Sequence, residues 1–200
     1  MALYEDLSVG KLTVTGGTTV GTLANVSGLS ATHQEIGGFI RTTLTLVDVA
    51  QTVPAGATAA AFVGTKLFTF TNGRIQVHAA ACTLQQKTTS VLASTINASS
   101  ACQYGLGTVT AAASTLATTM INILPGTGQT VPTVTSSATI NVAGTAGSSA
   151  LVVPSNFDGS GASRAVFLNS AYETDADVDA EGTQTWSGTI VIEWSNLGDF

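Results

Sequence analysis

The sequence predicts an all-β protein: a β-sandwich with jelly-roll-like winding, built from about eight strands, with one short helix and an extended N-terminal arm. Three observations predict this class. Runs of strand-forming residues alternate between apolar and polar positions, turn residues separate these runs, and little of the chain has helical spacing. The connections between the runs also differ in length, which favours a Greek-key or jelly-roll winding over a simple meander.

The strongest strand signal is the last one, in residues 185–195. Every second residue of this stretch falls on one face, which holds Trp186, Gly188, Ile190, Ile192 and Trp194. Both tryptophans of the chain lie on that face. Because aromatic side chains bury the largest areas, the face is predicted to form one wall of the core.

Residues 1–38 are predicted to form an extended arm or stalk, and residues 39–200 the β-sandwich domain. The arm repeats small and β-branched residues around glycines, with too few apolar residues for a core of its own. Its short strands are expected to pair with another chain or wrap a neighbour, and the alternative is a mobile terminus. Gly37 and Gly38 are interpreted as a hinge, after which residues 39–53 form the first core strand.

Asn72-Gly73 predicts a tight hairpin, since this dipeptide supplies the two positive-φ positions of a type I′ turn. Pairing outward from the turn puts one set of apolar residues on a single face of the two strands: Phe68, Phe70, Ile75 and Val77. That agreement between turn and alternation indicates the register of the hairpin.

Later elements are less regular. Strands are predicted over residues 88–97, 104–110, 134–142 and 162–172. A short helix or helical turn is predicted over residues 114–124, because apolar residues recur there at helical spacing before Pro125-Gly126.

The composition indicates a surface covered by neutral polar residues. Charged residues make up 9% of the 200-residue chain, whereas they average about 25% in soluble domains. Such a surface suits proteins largely in contact with neighbours, or extracellular and virion proteins, better than a crowded cytosolic enzyme. The net charge is −6 and the six Lys and Arg residues are scattered. Nucleic-acid binding, which needs clustered cations, is therefore not expected.

Neither a membrane segment nor a secretory leader is predicted. No run approaches the roughly 18 apolar residues of a membrane-spanning helix, and the first residues lack the basic and apolar regions of a signal peptide. Cys82 and Cys102 are too few for a disulfide framework. They are interpreted as two small, partly buried thiols, with a bridge between neighbouring strands left open.

No catalytic constellation is apparent, so the protein is predicted not to be an enzyme. His33 lies in the arm and His78 on the polar face of the predicted hairpin, and neither has a partner at a recognisable spacing. The metalloprotease, nucleophile-elbow and dithiol motifs do not occur. A hydrolase would require a pocket in which a histidine and carboxylates converge, for example acidic neighbours around His78.

The acidic run at residues 173–181 is the one stretch with the chemistry of a ligand site. Asp175, Asp177, Asp179 and Glu181 alternate, and oxygen ligands at alternate positions resemble the opening of a calcium-binding loop. An EF-hand loop, however, needs Gly at its sixth and Glu at its twelfth position, and these places hold Ala180 and Trp186. The simpler interpretation is a solvated acidic loop or an edge that repels unwanted pairing. No metal site or cofactor is predicted, and these four residues are the calcium candidates.

Three regions resemble virion proteins of tailed bacteriophages. They are Gly188–Phe200, the segments 67–70 and 73–78, and residues 12–23, whose Thr- and Gly-rich pattern is common near the start of phage fibre and capsid-associated subunits. The resemblance covers most of the chain and depends on strand and turn patterns. It implies a capsid decoration (cement) protein with a jelly-roll-like domain: a homotrimer on the capsid surface that binds the major capsid protein and stabilises the shell. The family has no catalytic residues to carry over.

A receptor- or glycan-binding module of a phage fibre is the alternative, since jelly rolls also serve as lectins. In that case the acidic loop from Asp175 to Glu181 would be the candidate Ca²⁺ and sugar site. A decoration protein is expected to bind shells and raise their heat resistance, whereas a lectin is expected to bind glycans in a chelator-sensitive way.

Overall fold

The computed structural model describes residues 20–55, 61–88, 101–130, 138–145, 155–158, 164–172 and 181–198. Over these residues the chain forms eleven β-strands and one 3₁₀ turn. The strands are β1 (Thr22–Leu23), β2 (Leu29–Ile36), β3 (Phe39–Val53), β4 (Phe62–Thr69), β5 (Arg74–Thr88), β6 (Ala101–Gly107), β7 (Leu124–Thr130), β8 (Ala138–Thr145), β9 (Ser155–Asp158), β10 (Ala165–Tyr172) and β11 (Gly182–Asn196). No helix in this part of the chain is long and apolar enough to cross a membrane.

The strands form two antiparallel sheets that pack face to face. The large sheet has the order β2-β3-β11-β5-β8, with β9 also pairing β5, and the small sheet has the order β1-β4-β10-β6-β7. Eight strands form the centre of the sandwich, in the order β3-β11-β5-β8 in the large sheet and β4-β10-β6-β7 in the small sheet. Along these eight strands the chain crosses from one sheet to the other at almost every connection. This is the winding of a jelly roll, and the predicted β-sandwich is confirmed.

The predicted face of the last strand lies in the core between the sheets. Trp186, Ile190, Ile192 and Trp194 are all fully buried. Strand β11 lies between β3 and β5 in the middle of the large sheet, where both of its edges are paired. Aromatic rings from the other strands surround its tryptophans, so β11 organises the core as its alternation predicted.

A β-bulge in β3 interrupts its pairing with β11 in the middle of the large sheet. The inward residues of the two strands stay opposite each other on both sides of this bulge. The register of β3 against β11 shifts between Trp186 and Gly188. Asp48 takes a positive φ of 49° opposite this shift, and its backbone N–H donates to Ser187 Oγ at 2.9 Å. Gly188 has a φ of 134°, and a Cβ there would collide with the carbonyl of Thr83. Glycine is therefore required at this position of the central strand.

The predicted hairpin at Asn72-Gly73 is wrong. Strands β4 and β5 belong to different sheets, and the dipeptide is the corner between them. Gly73 has a φ of 118° but Asn72 is not in the positive-φ region, so no type I′ turn forms. The end of β11 holds the corner instead, since Asn196 Nδ2 donates to Thr71 Oγ1 at 2.9 Å and to the Asn72 carbonyl at 3.0 Å.

The apolar residues of that prediction are nevertheless buried together. Phe68, Phe70, Ile75 and Val77 all lie in the main core. Two strands that face each other across a sandwich show the same alternation as two strands paired side by side. The alternation therefore identified the buried residues but could not identify the hydrogen-bonding partner.

Within residues 20–38 the chain belongs to the sandwich rather than to a separate arm. Strand β1 pairs with β4, and β2 pairs with β3 over its full length. Gly37 and Gly38, predicted as a hinge, form the turn between β2 and β3, with φ values of 55° and 97°. Sparse apolar residues suffice here because Leu23, Val26 and Leu29 pack against a core built by other strands. Residues 1–19 of the predicted arm lie outside the described residues.

The predicted helix at residues 114–124 is reduced to a 3₁₀ turn at Thr118–Met120. The helical spacing of the apolar residues has another cause: Leu116 is buried against Ala111 and Ala171, with Met120 packed beside them. These residues cover a sheet, and residue 124 already begins β7.

The remaining predicted strands match in part. The predicted strand at 104–110 overlaps β6, which ends at Gly107, and those at 134–142 and 162–172 overlap β8 and β10, while residues 89–97, 134–137 and 162–163 lie outside the described part. Cys82 is buried on β5 of the large sheet, and Cys102 belongs to β6 of the small sheet. The two cysteines therefore do not lie on neighbouring strands.

Candidate functional site

The two sheets differ in what covers their outer faces. On the small sheet, the connection between β6 and β7 folds back over the outside, where Ala111 and Leu116 form a small buried cluster with Ala171 of β10. Its backbone also packs against β6, since a Cβ at Gly107 would collide with the carbonyls of Thr119 and Met120. This sheet is closed by its own chain.

The buried side chain of Asn169 makes the largest number of hydrogen bonds to this cover, and Gln103 Oε1 of β6 adds one from the Leu116 N–H at 2.9 Å. Asn169 of β10 is fully buried and points out of the small sheet into the connection. Its Oδ1 accepts from the Ala111 N–H at 2.8 Å, and its Nδ2 donates to the carbonyls of Val109 at 2.9 Å and Met120 at 2.7 Å. Three hydrogen bonds from one amide satisfy backbone groups that the irregular connection would otherwise bury unpaired.

No described segment packs on the outer face of the large sheet, which we call the open face. The open face consists of the outward residues of four strands: Ser30, Thr32 and Gln34 of β2; Arg41, Thr43, Thr45, Val47, Ala50 and Thr52 of β3; Thr183, Thr185, Ser187, Thr189, Val191 and Glu193 of β11; and Ala79, Ala81, Thr83, Gln85 and, near the end of the strand, Lys87 of β5.

Hydroxyl side chains dominate the centre of the open face. Thr189 lies directly opposite Thr45 on one side and Thr83 on the other, which makes a row of three threonines across the sheet. The charges next to this row cancel, because Arg41 Nε and Nη2 both donate to Glu193 Oε1, at 2.9 and 2.5 Å. An exposed ion pair adds little stability. Its effect here is to leave the centre of the face without net charge.

Exposed apolar side chains border the open face. In the described part of the chain, the large hydrophobic residues with more than a third of their surface exposed are Phe39, Val47, Val109 and Leu197. Phe39 begins β3 at the end of the sheet where Leu197 follows β11, and Val47 lies at the bulge with 62% exposure. Three of the four therefore lie on or beside one sheet face, as in a surface that contacts another protein.

The histidine and serine next to Phe39 lie within hydrogen-bonding distance of each other. His78 Nε2 lies 2.8 Å from Ser195 Oγ, and the imidazole and Phe39 rings are tilted, with centroids 5.6 Å apart. Ser195 Oγ also donates to the Gly38 carbonyl at 3.3 Å, and in that arrangement the imidazole is the donor to the hydroxyl rather than its base. No described carboxylate bonds His78. The acidic neighbours that a hydrolase would need are not found in this part of the structure.

The calcium candidates lie largely outside the described residues. Asp175, Asp177 and Asp179 are not described, and Glu181 is an exposed residue directly before β11. Within the described part, no group of three His, Cys, Asp or Glu side chains could hold a metal ion. Calcium binding by the acidic run stays a prediction.

The described strand ends that flank the acidic run lie at the same end of the sandwich as several other strand ends. Strand β11 starts opposite the ends of β3 and β5, with Gly182 facing Val53 and Gln184 facing Thr88. Strands β7 and β10 end at this same end of the sandwich, which we call the loop end. The β3–β4, β5–β6, β7–β8 and β10–β11 connections therefore all leave the sandwich there.

A buried amide network beneath the loop end was missed by the sequence analysis. Gln51 Oε1 accepts three hydrogen bonds, from Ser170 Oγ at 2.9 Å, Gln184 Nε2 at 2.7 Å and Trp186 Nε1 at 2.8 Å. Gln184 Oε1 in turn accepts from Tyr172 OH and Gln86 Nε2, both at 2.7 Å. The signal was available, because period-2 alternation places Gln184 on the inward face of Trp186.

A second polar contact ties edge strand β2 to the core. His33 Nδ1 lies 3.0 Å from Thr42 Oγ1, and the buried Thr42 also accepts from the Trp194 indole at 2.9 Å. The imidazole lies 5.5 Å from the Phe68 ring. Partial burial removes water from the imidazolium form and lowers the pKa of His33 below its ordinary value of 6.5.

This pKa shift predicts that acid weakens the fold. The unfolded chain protonates His33 at a higher pH than the folded chain, so the free energy of unfolding should fall as the pH drops through 6.5 towards the lower folded pKa. Urea unfolding of the natural protein and of His33→Gln at several pH values measures the difference. The variant should lose this part of the pH dependence, and equal slopes for both proteins would contradict the prediction.

Comparison with protein-family models, curated proteins and solved structures finds no match to this chain. The open face, the loop end and the buried contacts behind them are therefore the observations that bear on function.

Proposed function

We propose that this protein is a structural virion protein, a decoration or cement protein that binds the major capsid protein on the outside of a phage shell and stabilises it. The observation that carries the proposal is the difference between the two sheets. The chain covers the small sheet with its own β6–β7 connection and leaves the open face of the large sheet uncovered by any described segment.

The chemistry of the open face suits a protein partner. The charges at its centre are paired, so docking on the threonine row does not require the desolvation of an isolated charge. Lys87 lies apart from this row, towards the end of β5. The hydroxyls of Thr45, Thr189 and Thr83 can donate and accept hydrogen bonds across an interface. Phe39 and Leu197 supply the apolar anchors that dominate binding energies. The sequence resemblance to phage virion proteins supports the same class of partner.

Shell binding tests the proposal. The natural protein is expected to co-sediment with purified tailed-phage shells and to raise their melting temperature. Thr189→Lys adds an unpaired charge to the centre of the open face and should reduce binding at least about tenfold, the cost of roughly 1.4 kcal/mol. Thr115→Lys adds the same charge to the exposed outside of the small-sheet cover and should bind normally. Equal binding by both variants would exclude the open face, and no binding by the natural protein would exclude the function.

The loop end supports a second candidate, a glycan- or receptor-binding module. The observation behind it is that the strand ends flanking four connections, among them the two that flank the acidic run, lie at one end of the sandwich. Clustered loops at one end of a β-sandwich commonly carry recognition. Glycan-array binding that a chelator abolishes, and that Asp177→Asn weakens, would favour this function. A chelator-resistant protein that binds shells would favour the decoration protein. In both candidates the protein binds and does not catalyse.

A further inference from the structure

Strand β2 is a regular edge of the large sheet as the described strands form it. Among these strands it is the last on its side of the sheet, and its eight residues pair with β3 without a break in register. By contrast, the neighbouring edge of the small sheet, β1, has two residues. The outward side chains of β2 are the exposed Ser30, Thr32 and Gln34, which carry no charge.

Few of the usual features that block edge pairing occur in β2. Natural edge strands carry lysine, proline, a bulge or inward-pointing charge, because unpaired backbone groups otherwise recruit another strand. β2 contains no lysine, proline or bulge. Its single carboxylate, Glu35, is on the inward side of the strand opposite Ile40 and is the one edge-blocking feature present. It lies next to the Gly37-Gly38 turn, so a partner strand centred on Thr32 meets this charge at its margin.

We propose that β2 pairs antiparallel with β2 of a second copy of this chain, about a twofold axis at Thr32. Side chains directly opposite each other must lie on the same face of a sheet. A twofold pair can therefore be centred on a residue but not between two residues. Centring on Thr32 places the two Thr32 side chains opposite each other and each Ser30 opposite Gln34 of the partner subunit.

The sequence of β2 favours a second copy as the occupant of this edge. Centred on Thr32, every outward pair combines hydroxyl and amide side chains, and threonine pairs stabilise antiparallel sheets. Although each copy has a net charge of −6, the contact itself places no like charges opposite each other. The pair would join five strands from each copy into one continuous sheet and double the width of the open face.

The contact between the two β2 strands is small, and its size determines how strongly the two copies are expected to associate. Eight residues span about 26 Å at roughly 3.3 Å per residue, so strand addition alone buries less area than a standard stable interface. The dimer is therefore concentration-dependent in solution. Its twofold symmetry also differs from the threefold that the phage resemblance implies.

Cysteine cross-linking tests the pairing of the two β2 strands in the absence of phage shells. Its outcome is therefore independent of the shell-binding test of the proposed function. Thr32→Cys should form a reductant-sensitive dimer under mild oxidation, because opposite Cα atoms lie about 4.5–5.5 Å apart. Thr43→Cys on β3 is the matched control. It faces the same way and lies opposite Thr32, but two copies of residue 43 would be about 14 Å apart, three strand spacings. We expect at least about fivefold more dimer from Thr32→Cys.

Sedimentation of the unmodified protein provides a second measurement. Self-association should increase with concentration and should be lost in Thr32→Lys, which puts like charges opposite each other on the axis. Equal cross-linking of the two cysteine variants, no dimer from Thr32→Cys at high concentration, or a trimer that Thr32→Lys leaves intact would each overturn the proposal.

Discussion

Replacing Trp194 with alanine is expected to lower the free energy of unfolding by about 3–5 kcal/mol, the range for large aromatic residues in cores. Trp194 is fully buried, and its ring makes an edge contact with Phe70 at 4.9 Å. Truncation leaves a cavity between the sheets. It also removes the indole donor from Thr42, which is itself buried and hydrogen-bonded to His33.

Urea unfolding measures this effect, with Val47→Ala as the control. Val47 lies on β3, the strand that pairs with β11, but its side chain is 62% exposed. Its truncation should therefore lower the free energy of unfolding by less than about 1 kcal/mol. Trp194→Phe separates packing from hydrogen bonding, because it keeps an aromatic ring and loses the indole N–H. A loss below about 1 kcal/mol for Trp194→Ala would show that the two sheets do not pack around this side chain.

Local alternation predicted the fold well where one strand carries its own signal. The inward face of β11 follows from residues 186–194 alone, because successive side chains in a strand point to opposite faces whatever the neighbouring strands are. The same pattern could not choose the partner of a strand. Phe68 of β4 and Ile75 of β5 belong to different sheets and yet lie in one core. The contact that makes Asn72-Gly73 a corner comes from Asn196, 124 residues later.

The candidate site was harder to predict for the same reason. Alternation indicates that Thr43 and Thr45 point away from the core, but it does not show what lies on top of them. The buried amide of Asn169 helps to hold the connection that closes the small sheet, and in the sequence it is an ordinary asparagine in a strand. Which sheet stays open depends on such long-range contacts, and the residues of the open face carry no catalytic or metal-binding signature.

The buried contacts and the open face depend on the same strands. Strand β11 carries Trp186 and Trp194 inward and Thr189 and Glu193 outward. Both of its neighbours are fixed by inward contacts, with β3 held through Gln51 and Thr42. A rigid core sheet thus presents its outer residues at fixed spacing, which lowers the ordering cost when a partner binds.

Gln51→Met tests the inward side chain that accepts the most hydrogen bonds. The substitution is expected to lower the free energy of unfolding by about 3–5 kcal/mol. Methionine has nearly the same length, but it removes the oxygen that accepts from Ser170, Gln184 and Trp186. Each buried donor left without a partner costs about 1–3 kcal/mol, reduced where a hydroxyl can reorient. Gln85→Met, on the exposed side of β5, makes the same chemical change at the surface and should be nearly neutral.

A double variant distinguishes lost hydrogen bonds from general disruption of the core. Adding Ser170→Ala to Gln51→Met deletes one of the stranded donors, so the double variant should be no less stable than Gln51→Met alone, although Ser170→Ala by itself is destabilising. Such non-additivity is the signature of a shared network, and urea unfolding of the four proteins measures it. Additive losses would mean that Ser170 and Gln51 act independently. A Gln51→Met loss equal to that of Gln85→Met would mean that the amide network contributes nothing to holding β3, β10 and β11 together.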